Sequence, residues 1–314
     1  MNVEQGTGSN LRGAVRHGSV AAWMAAIRPR TLLVALSPVL VGAALGWHRT
    51  GQLDWPVAAI VLAASLLVQI VTNLQNDVGY TARGAEAGGT RIGLPRATAL
   101  GWLRVRSVRL AIVGVALAAT ALGLALVALR GWPVLAIGVC SLAAALAYMG
   151  GPKPIAYTPF GELTVFVFFG LVAVMGTDWV LTESVGAATA VASVAIGAIA
   201  AAALAVNNQR DIAHDALVGR RTFPVTFGAA AGQRLYTLLL LGPFALAPVM
   251  ALLAGPMMLL PLLLLPAAWA LRREFIGCPP GLAFNAVLFR TFRLELVYAV
   301  LLASGAVLGR LWGG

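Results

Sequence analysis

The sequence predicts an all-α, polytopic membrane helix bundle, and three observations lead to this fold class. Of the chain's 314 residues, 60% are hydrophobic and only 11% are charged. The mean hydropathy is +0.88, well above what a soluble domain of this length needs. Apolar runs of about 20 residues, long enough to cross a bilayer, follow one another along most of the chain.

Nine of these runs are predicted to be transmembrane helices, joined in places by connections short enough for helical hairpins. The predicted spans are 31–47, 55–76, 107–129, 132–149, 161–180, 185–209, 233–254, 256–271 and 294–312. Residues 1–20 are predicted to be a polar N-terminal tail without the pattern of a cleavable signal peptide. Residues 21–314 are predicted to form a single transmembrane domain.

The basic residues predict the orientation of the bundle. If the N-terminus is cytoplasmic, all but three of the 22 basic residues fall in or beside cytoplasmic segments, the exceptions being Arg49, Arg130 and Arg310. This distribution follows the positive-inside rule and predicts an integral membrane protein with a cytoplasmic N-terminus. Topology and an anionic leaflet or substrate explain the net charge of +11, so no nucleic-acid partner is predicted.

Two clusters of amide and carboxylate side chains interrupt the apolar pattern. They are Asn73, Asn76 and Asp77 at the end of the second span, and Asn207, Asn208, Asp211 and Asp215 at the end of the sixth. Spacings of four residues place members of each cluster on one helix face. Such groups at membrane depth are rarely kept without a function, and their oxygens are ligands that Mg²⁺ prefers. The clusters predict a Mg²⁺-dependent site for a diphosphate on the cytoplasmic side, although helix-end carboxylates paired with arginine are an alternative.

Basic and aromatic residues in the neighbouring loops complete the predicted site. Arg83 and Arg91 follow the first cluster and Arg220 follows the second, where they are predicted to bind phosphate oxygens. Each of these arginines taken alone also fits a charge that only sets topology. Lys153 is the chain's only lysine, which suggests a position that requires a compact ammonium group.

Three further residues surround that lysine in the sequence. Tyr148 and Tyr157 flank the stiff Gly-Gly-Pro turn before Lys153, and Glu162 begins the fifth span. All three are predicted to face the substrate, with an interfacial aromatic belt as the alternative for the tyrosines.

Taken together, these motifs resemble the UbiA superfamily of intramembrane prenyltransferases, and most closely its 1,4-dihydroxy-2-naphthoate polyprenyltransferase branch. The resemblance covers nearly the whole chain after residue 20. The stretches that carry it are 28–32, 73–77, 150–154, 161–162, 166–170, 207–215 and 219–222.

The resemblance implies nine helices around a central cavity open to the cytoplasmic side of a bacterial inner membrane. It implies Mg²⁺ as cofactor, held by Asn73, Asn76, Asp77, Asp211 and Asp215, and an isoprenyl diphosphate and an aromatic acceptor as substrates. Asp77, Asp211, Asp215 and Lys153 are the expected catalytic residues. The expected substrate-binding residues are Asn73, Arg83, Arg91, Tyr148, Tyr157, Glu162, Asn207, Asn208 and Arg220. The acceptor expected for this branch is 1,4-dihydroxy-2-naphthoate, giving a demethylmenaquinone-type product.

One departure from the family pattern keeps other reactions open. Tyr80 stands where the first motif usually has a second aspartate, and the loss of a carboxylate is expected to weaken one Mg²⁺ site. Prenylation of another aromatic acceptor and cyclisation of a prenyl diphosphate without an acceptor are therefore alternatives. A transporter or lipid-binding protein is a third alternative, against which the position of the polar groups near helix ends argues.

Overall fold

Helices account for nearly all the regular structure of the protein. The computed structural model describes residues 15–85, 93, 95–279 and 281–313, and none of these lies in a β-strand. Most of the predicted polar tail, together with Arg91, lies outside the described residues. The helices are α1 (Val20–Ile27), α2 (Pro29–Thr50), α3 (Trp55–Ala82), α4 (Val105–Arg130), α5 (Trp132–Met149), α6 (Gly161–Thr182), α7 (Ala187–Arg210), α8 (Ile212–Leu217), α9 (Phe223–Phe227), α10 (Ala229–Ala254), α11 (Leu265–Gly277) and α12 (Ala283–Gly313).

Eight of the helices in the described part of the chain are long and apolar enough to cross a membrane, namely α2 to α7, α10 and α12. They correspond to eight of the nine predicted spans. The predicted span 256–271 has a different form: a 3₁₀ helix, Pro256–Leu264, runs into α11. Pro261 lies inside this stretch and lacks the N–H group that an α-helix needs in its interior, so the segment is not one long α-helix.

The most buried of these long helices is α7, with 78% of its apolar stretch inside the protein. This helix is rich in alanine, and small side chains allow membrane helices to approach closely. It packs against α6, whose middle section, Phe166–Met175, is a π-helix. At this crossing a Cβ on Gly197 would lie 2.5 Å from the carbonyl oxygen of Phe166 and 2.8 Å from the Cα of Gly170. The two backbones therefore touch, and only glycine fits at both positions.

Replacing Gly197 with valine is expected to lower stability by about 1–3 kcal/mol, the usual range for an overpacked core, and to reduce the melting temperature in detergent. The matched control is Gly114→Val on α4, because a Cβ there meets nothing within 4 Å. Equal melting temperatures for the two variants would contradict the contact.

Two ion pairs lie at the end of the bundle where α3 and α7 begin. Asp178 of α6 is fully buried and accepts hydrogen bonds from Arg49 at 3.0 Å and from the Gly186 amide at 3.0 Å. Arg130 lies 3.5 Å from Asp54 at this same end. Because α3 and α7 both run away from this end, their last turns bring the two polar clusters together at the opposite end.

Candidate active site

The first cluster, on the last turns of α3, is tied into its surroundings by hydrogen bonds. Asn73 donates through its side-chain nitrogen to the Ile27 carbonyl at 2.7 Å and to the Thr31 hydroxyl at 2.9 Å. Its side-chain oxygen accepts from Gln69 at 3.3 Å. Asn73 thus links α3 to the junction between α1 and α2.

Asp77 is fully buried and binds backbone rather than facing the cavity. One of its oxygens accepts from the Ala97 amide at 2.8 Å, and the other accepts from the Thr98 amide at 2.9 Å and from the Thr98 hydroxyl. Asn76 differs, since it lines the cavity and its buried side-chain oxygen has no hydrogen-bond partner among the described residues. Of the three predicted ligands in this cluster, Asn76 is the one that presents an unengaged oxygen.

The two carboxylates of the second cluster are paired with arginines. Asp211 accepts two hydrogen bonds from the neighbouring Arg210, each 2.8 Å long, and Arg210 also donates to Asn285 at 2.7 Å. Asp215 lies one helical turn after Asp211, is fully buried and forms an ion pair with Arg220. Burial raises the pKa of the Asp215 carboxyl above its ordinary value, and the adjacent Arg220 guanidinium opposes that rise.

The two asparagines of the second cluster lie on the last turn of α7. Asn207 lines the cavity, and Asn208 donates to a side-chain oxygen of Glu162 at 2.9 Å. The other oxygen of Glu162 is buried and has no hydrogen-bond partner within the described part of the chain. Glu162, at the start of α6, thus belongs to the polar end of the bundle.

Arginine side chains and aromatic rings join the two clusters. The Tyr80 ring is buried and is covered by two arginines. The guanidinium carbon of Arg96 lies 3.8 Å from the ring centroid, and that of Arg220 lies 5.0 Å from it. Arg220 also lies 5.8 Å from the Tyr157 ring and donates to the Ala156 carbonyl at 3.1 Å. This stack connects α3, the loop before α4 and the loop after α8.

The Gly-Gly-Pro-Lys-Pro turn lies beside the stack. Arg83 donates to the Met149 carbonyl at 3.1 Å and to the Gly151 carbonyl, and its guanidinium is 5.6 Å from the Tyr157 ring. Lys153 is exposed beyond this turn. Arg83 and Tyr157 are therefore brought to the site, whereas Lys153 lies at its margin.

An apolar cavity of about 410 Å³ opens onto the polar end. Phe168, Phe169 and Phe292 are among its apolar lining residues. Tyr148 and three of the asparagines described above contribute polar groups, namely Asn73, Asn76 and Asn207. A cavity of this character holds an apolar chain and excludes water from a charged group at its end.

Arg28 also lines this cavity, although its role was not predicted from the sequence. It lies between α1 and α2 with φ of 57°, a left-handed conformation that is uncommon outside glycine. Strained backbone of this kind tends to occur at functional sites. The sequence signal was a cation directly before a proline at a helix start, within the 28–32 motif.

The donor set fits Mg²⁺ best at the second cluster. Asp211 and Asp215 supply carboxylates one turn apart, which are ligands of the kind that Mg²⁺ accepts. In the first cluster, the unengaged oxygen of Asn76 is a neutral ligand of the same hard type. The fit is poorer at the first cluster, because both oxygens of Asp77 accept hydrogen bonds from backbone amides. The donors to Asp211 and Asp215 are side chains instead, which can turn away from a carboxylate. Within the described residues no three acidic, histidine or cysteine side chains form a group that would hold a metal ion.

Residues 35–280 match the UbiA prenyltransferase family. The chain belongs to this family. Two relatives are named 1,4-dihydroxy-2-naphthoate octaprenyltransferase. The one from Escherichia coli K12 is 34% identical over 70% of this chain and 73% of its own length. The one from Mycobacterium tuberculosis H37Rv is 38% identical over 69% of this chain and 74% of its own length.

Solved structures of other UbiA proteins share the fold. A UbiA homologue from Archaeoglobus fulgidus bound to DMAPP and Mg²⁺ superposes with a TM-score of 0.66 at 14% identity, covering 91% of this chain and 99% of that one. The apo structure of a UbiA homologue from Aeropyrum pernix K1 gives a TM-score of 0.66 at 17% identity, covering 88% of this chain and 97% of that one. At these identities the likeness concerns the fold.

Proposed function

We propose that this protein transfers an isoprenyl group from a prenyl diphosphate to 1,4-dihydroxy-2-naphthoate in a Mg²⁺-dependent reaction. The observation that carries the proposal is an apolar cavity whose polar end is lined by Arg28 and by asparagines of both clusters. One of these asparagines, Asn207, lies one helical turn before Asp211. Such a cavity accommodates a molecule with an apolar chain and a diphosphate head. The naphthoate octaprenyltransferase relatives support the choice of acceptor.

The arginines bind the diphosphate and stabilise the negative charge that develops on it as the carbon–oxygen bond breaks. Asp211, Asp215 and Asn76 would hold Mg²⁺, which supplies further positive charge to the leaving group when bound. Phe168 and Phe169 shield the cation-like allylic carbon, and the apolar walls keep water from reacting with it.

The acceptor ring then attacks the allylic carbon through the ring carbon that bears the carboxylate. A carbon–carbon bond forms, the carboxylate leaves as CO₂, and its bonding electrons restore the aromatic ring. Pyrophosphate and a prenylated naphthalenediol are the other products. Every atom of the two substrates is thus accounted for without an oxidant or a reductant.

Arg28 is assigned to the acceptor, since its guanidinium lies at the cavity and matches a carboxylate. Arg28→Gln is expected to raise the KM for the naphthoate about tenfold, as for the loss of one charge-assisted hydrogen bond, with little change in the KM for the prenyl diphosphate. The control is Arg30→Gln, because Arg30 instead packs 4.9 Å from the Phe289 ring. An equal rise in both KM values would contradict this assignment.

The bundle is assigned to the cytoplasmic membrane of a bacterium, with residues 21–314 acting as one unit and the N-terminus and the site facing the cytoplasm. The concentration of arginines at the end of the bundle that carries the site supports this orientation, by the positive-inside rule. The 3₁₀ helix Pro256–Leu264 followed by α11 is assigned as a ninth crossing. The reason is that α10 and α12 both begin at the end of the bundle that carries the site, and α10 is long enough to cross the membrane between them.

An acceptor panel tests the reaction. Purified protein is given farnesyl diphosphate and Mg²⁺ with the naphthoate, with 4-hydroxybenzoate or with no acceptor, and products are identified by mass spectrometry. The proposal predicts a prenylated, decarboxylated naphthalenediol in the first reaction only. A prenylated benzoate or a cyclic terpene would show that one of the alternative reactions is correct, and no release of pyrophosphate would indicate a protein that is not a prenyltransferase.

A further inference from the structure

Tyr80 replaces a carboxylate that the first motif of UbiA enzymes usually carries, and its surroundings suggest what it does instead. Tyr80 is 6% exposed, and two arginines that are just as buried stack on its ring. The guanidinium carbon of Arg96 lies 3.8 Å from the ring centroid and that of Arg220 lies 5.0 Å from it. An aromatic face attracts a cation through its quadrupole without cancelling the cation's charge. A carboxylate at the same place would neutralise part of it.

We propose that Tyr80 is a positioning residue that holds Arg96 and Arg220 as a paired binding site for the substrate's diphosphate. In this chain the arginine pair supplies the positive charge that would otherwise come from a metal ion bound by the missing carboxylate. This inference rests on the proposed function, because it assumes that the site receives a diphosphate.

Asp77 supports the same arrangement from the preceding turn of α3. Its two oxygens accept from the amides of Ala97 and Thr98, the residues that directly follow Arg96. The Thr98 hydroxyl adds a contact of 2.7 Å to Thr81, next to Tyr80 in the chain. The segment carrying Arg96 is therefore fixed over the Tyr80 ring, so Asp77 acts through Arg96 in this account rather than as a metal ligand.

Arg220 is held in position by two contacts outside α3. It forms an ion pair with the fully buried Asp215 and donates to the Ala156 carbonyl at 3.1 Å. The stack therefore extends from Asp77 through the two arginines to Asp215, a predicted Mg²⁺ ligand. A diphosphate bound here would meet arginine charge on the α3 side and the predicted Mg²⁺ ligands, Asp211 and Asp215, on the side of α7 and α8.

Calorimetric titration of the full-length protein in detergent with inorganic pyrophosphate, without Mg²⁺, tests the proposal directly. Tyr80→Phe keeps the ring and should bind pyrophosphate like the wild type. Tyr80→Leu should raise the Kd about tenfold, as expected for the loss of two buried cation–π contacts. Tyr80→Asp should weaken binding at least as much, because its carboxylate would pair with the arginines.

Tyr236→Leu is the matched control, since Tyr236 is a fully buried tyrosine whose ring centroid lies 3.8 Å from that of Phe275. It belongs to a different hydrophobic cluster from Tyr80. It should lower the melting temperature and leave the Kd for pyrophosphate unchanged. Wild-type affinity in Tyr80→Leu would overturn the proposal. Tighter Mg²⁺ binding in Tyr80→Asp with unchanged Mg²⁺-free affinity would overturn it in favour of a metal site.

Two more variants keep the test decisive if Tyr80→Leu does not fold. Arg96→Gln should also raise the Mg²⁺-free Kd about tenfold, and an unchanged Kd would overturn the proposal. Asp77→Asn should weaken Mg²⁺-free binding, because its amide nitrogen cannot accept from Ala97 or Thr98; a loss seen only with Mg²⁺ present would mean a metal ligand. A wild-type protein that binds pyrophosphate but makes no prenylated product would refute the proposed function and leave this inference standing.

Discussion

Replacing Asp211 with asparagine is expected to reduce the turnover of prenyl transfer by about 100-fold or more, the range found when a group that stabilises transition-state charge is lost. The change keeps the size of the side chain but removes the negative charge that would hold Mg²⁺. The measurement is kcat in detergent over a range of Mg²⁺ concentrations, together with the melting temperature. Very high Mg²⁺ should restore only part of the activity.

Asp178→Asn is the matched control for this experiment. Asp178 is likewise buried and paired with an arginine, Arg49, but lies at the opposite end of the bundle. It should reduce stability and leave kcat nearly unchanged. Near-normal turnover in Asp211→Asn would contradict the assignment of the second cluster to the metal.

Replacing Arg220 with glutamine is expected to have the second-largest effect. The change removes one buried partner of Asp215, one cation from the Tyr80 stack and one predicted diphosphate contact. We expect kcat to fall and the KM for the prenyl diphosphate to rise, each by about tenfold or more. Arg220→Lys should recover part of the loss, because lysine restores the charge without the planar, multidentate geometry.

Arg49→Gln provides the comparison for stability, since it also leaves a buried aspartate without its arginine. Breaking a buried ion pair by removing one partner typically costs about 3–5 kcal/mol, so both variants should melt earlier than the wild type. The kinetic loss should be confined to Arg220→Gln. A similar fall in kcat for both variants would mean that general destabilisation explains the effect.

Most of the fold could be predicted because apolar length is a direct consequence of the bilayer. Eight predicted spans correspond to long helices. Their ends differ by up to 11 residues, the largest difference being at the start of the last span, 294–312 against Ala283–Gly313. The span 256–271 was correctly recognised as apolar and helical, but its prolines make its first part a 3₁₀ helix. Apolar composition cannot distinguish these two forms.

The site was only partly predictable, because spacing identifies a shared helix face but not the partners that pack against it. Asn73 and Asp77 do share a face, yet their hydrogen bonds go to residues 27–31 and 97–98. Nothing in the local sequence of α3 indicates that these hydrogen-bond partners fold over it. The Mg²⁺-ligand role of Asn73 stays a prediction from the family resemblance, whereas Asp77 is proposed above to act through Arg96.

Arg28 and Arg96 were missed for a related reason. With 21 arginines in the chain and most of them explained by topology, sequence alone does not show which few face the cavity or stack on Tyr80. That distinction depends on tertiary contacts. Tyr80 itself was recognised as a departure from the family pattern, but its role became apparent only from the positions of the two guanidinium groups.

The most direct test of the central claim is a Mg²⁺-dependence experiment on the purified protein in lipid vesicles. Farnesyl diphosphate and 1,4-dihydroxy-2-naphthoate are supplied with Mg²⁺ or with EDTA, and CO₂ release is followed together with the mass of the product. We expect equal amounts of CO₂, pyrophosphate and prenylated naphthalenediol with Mg²⁺, and at most a trace of each with EDTA. Metal-independent formation of that product, or CO₂ release without a new carbon–carbon bond, would contradict the central claim.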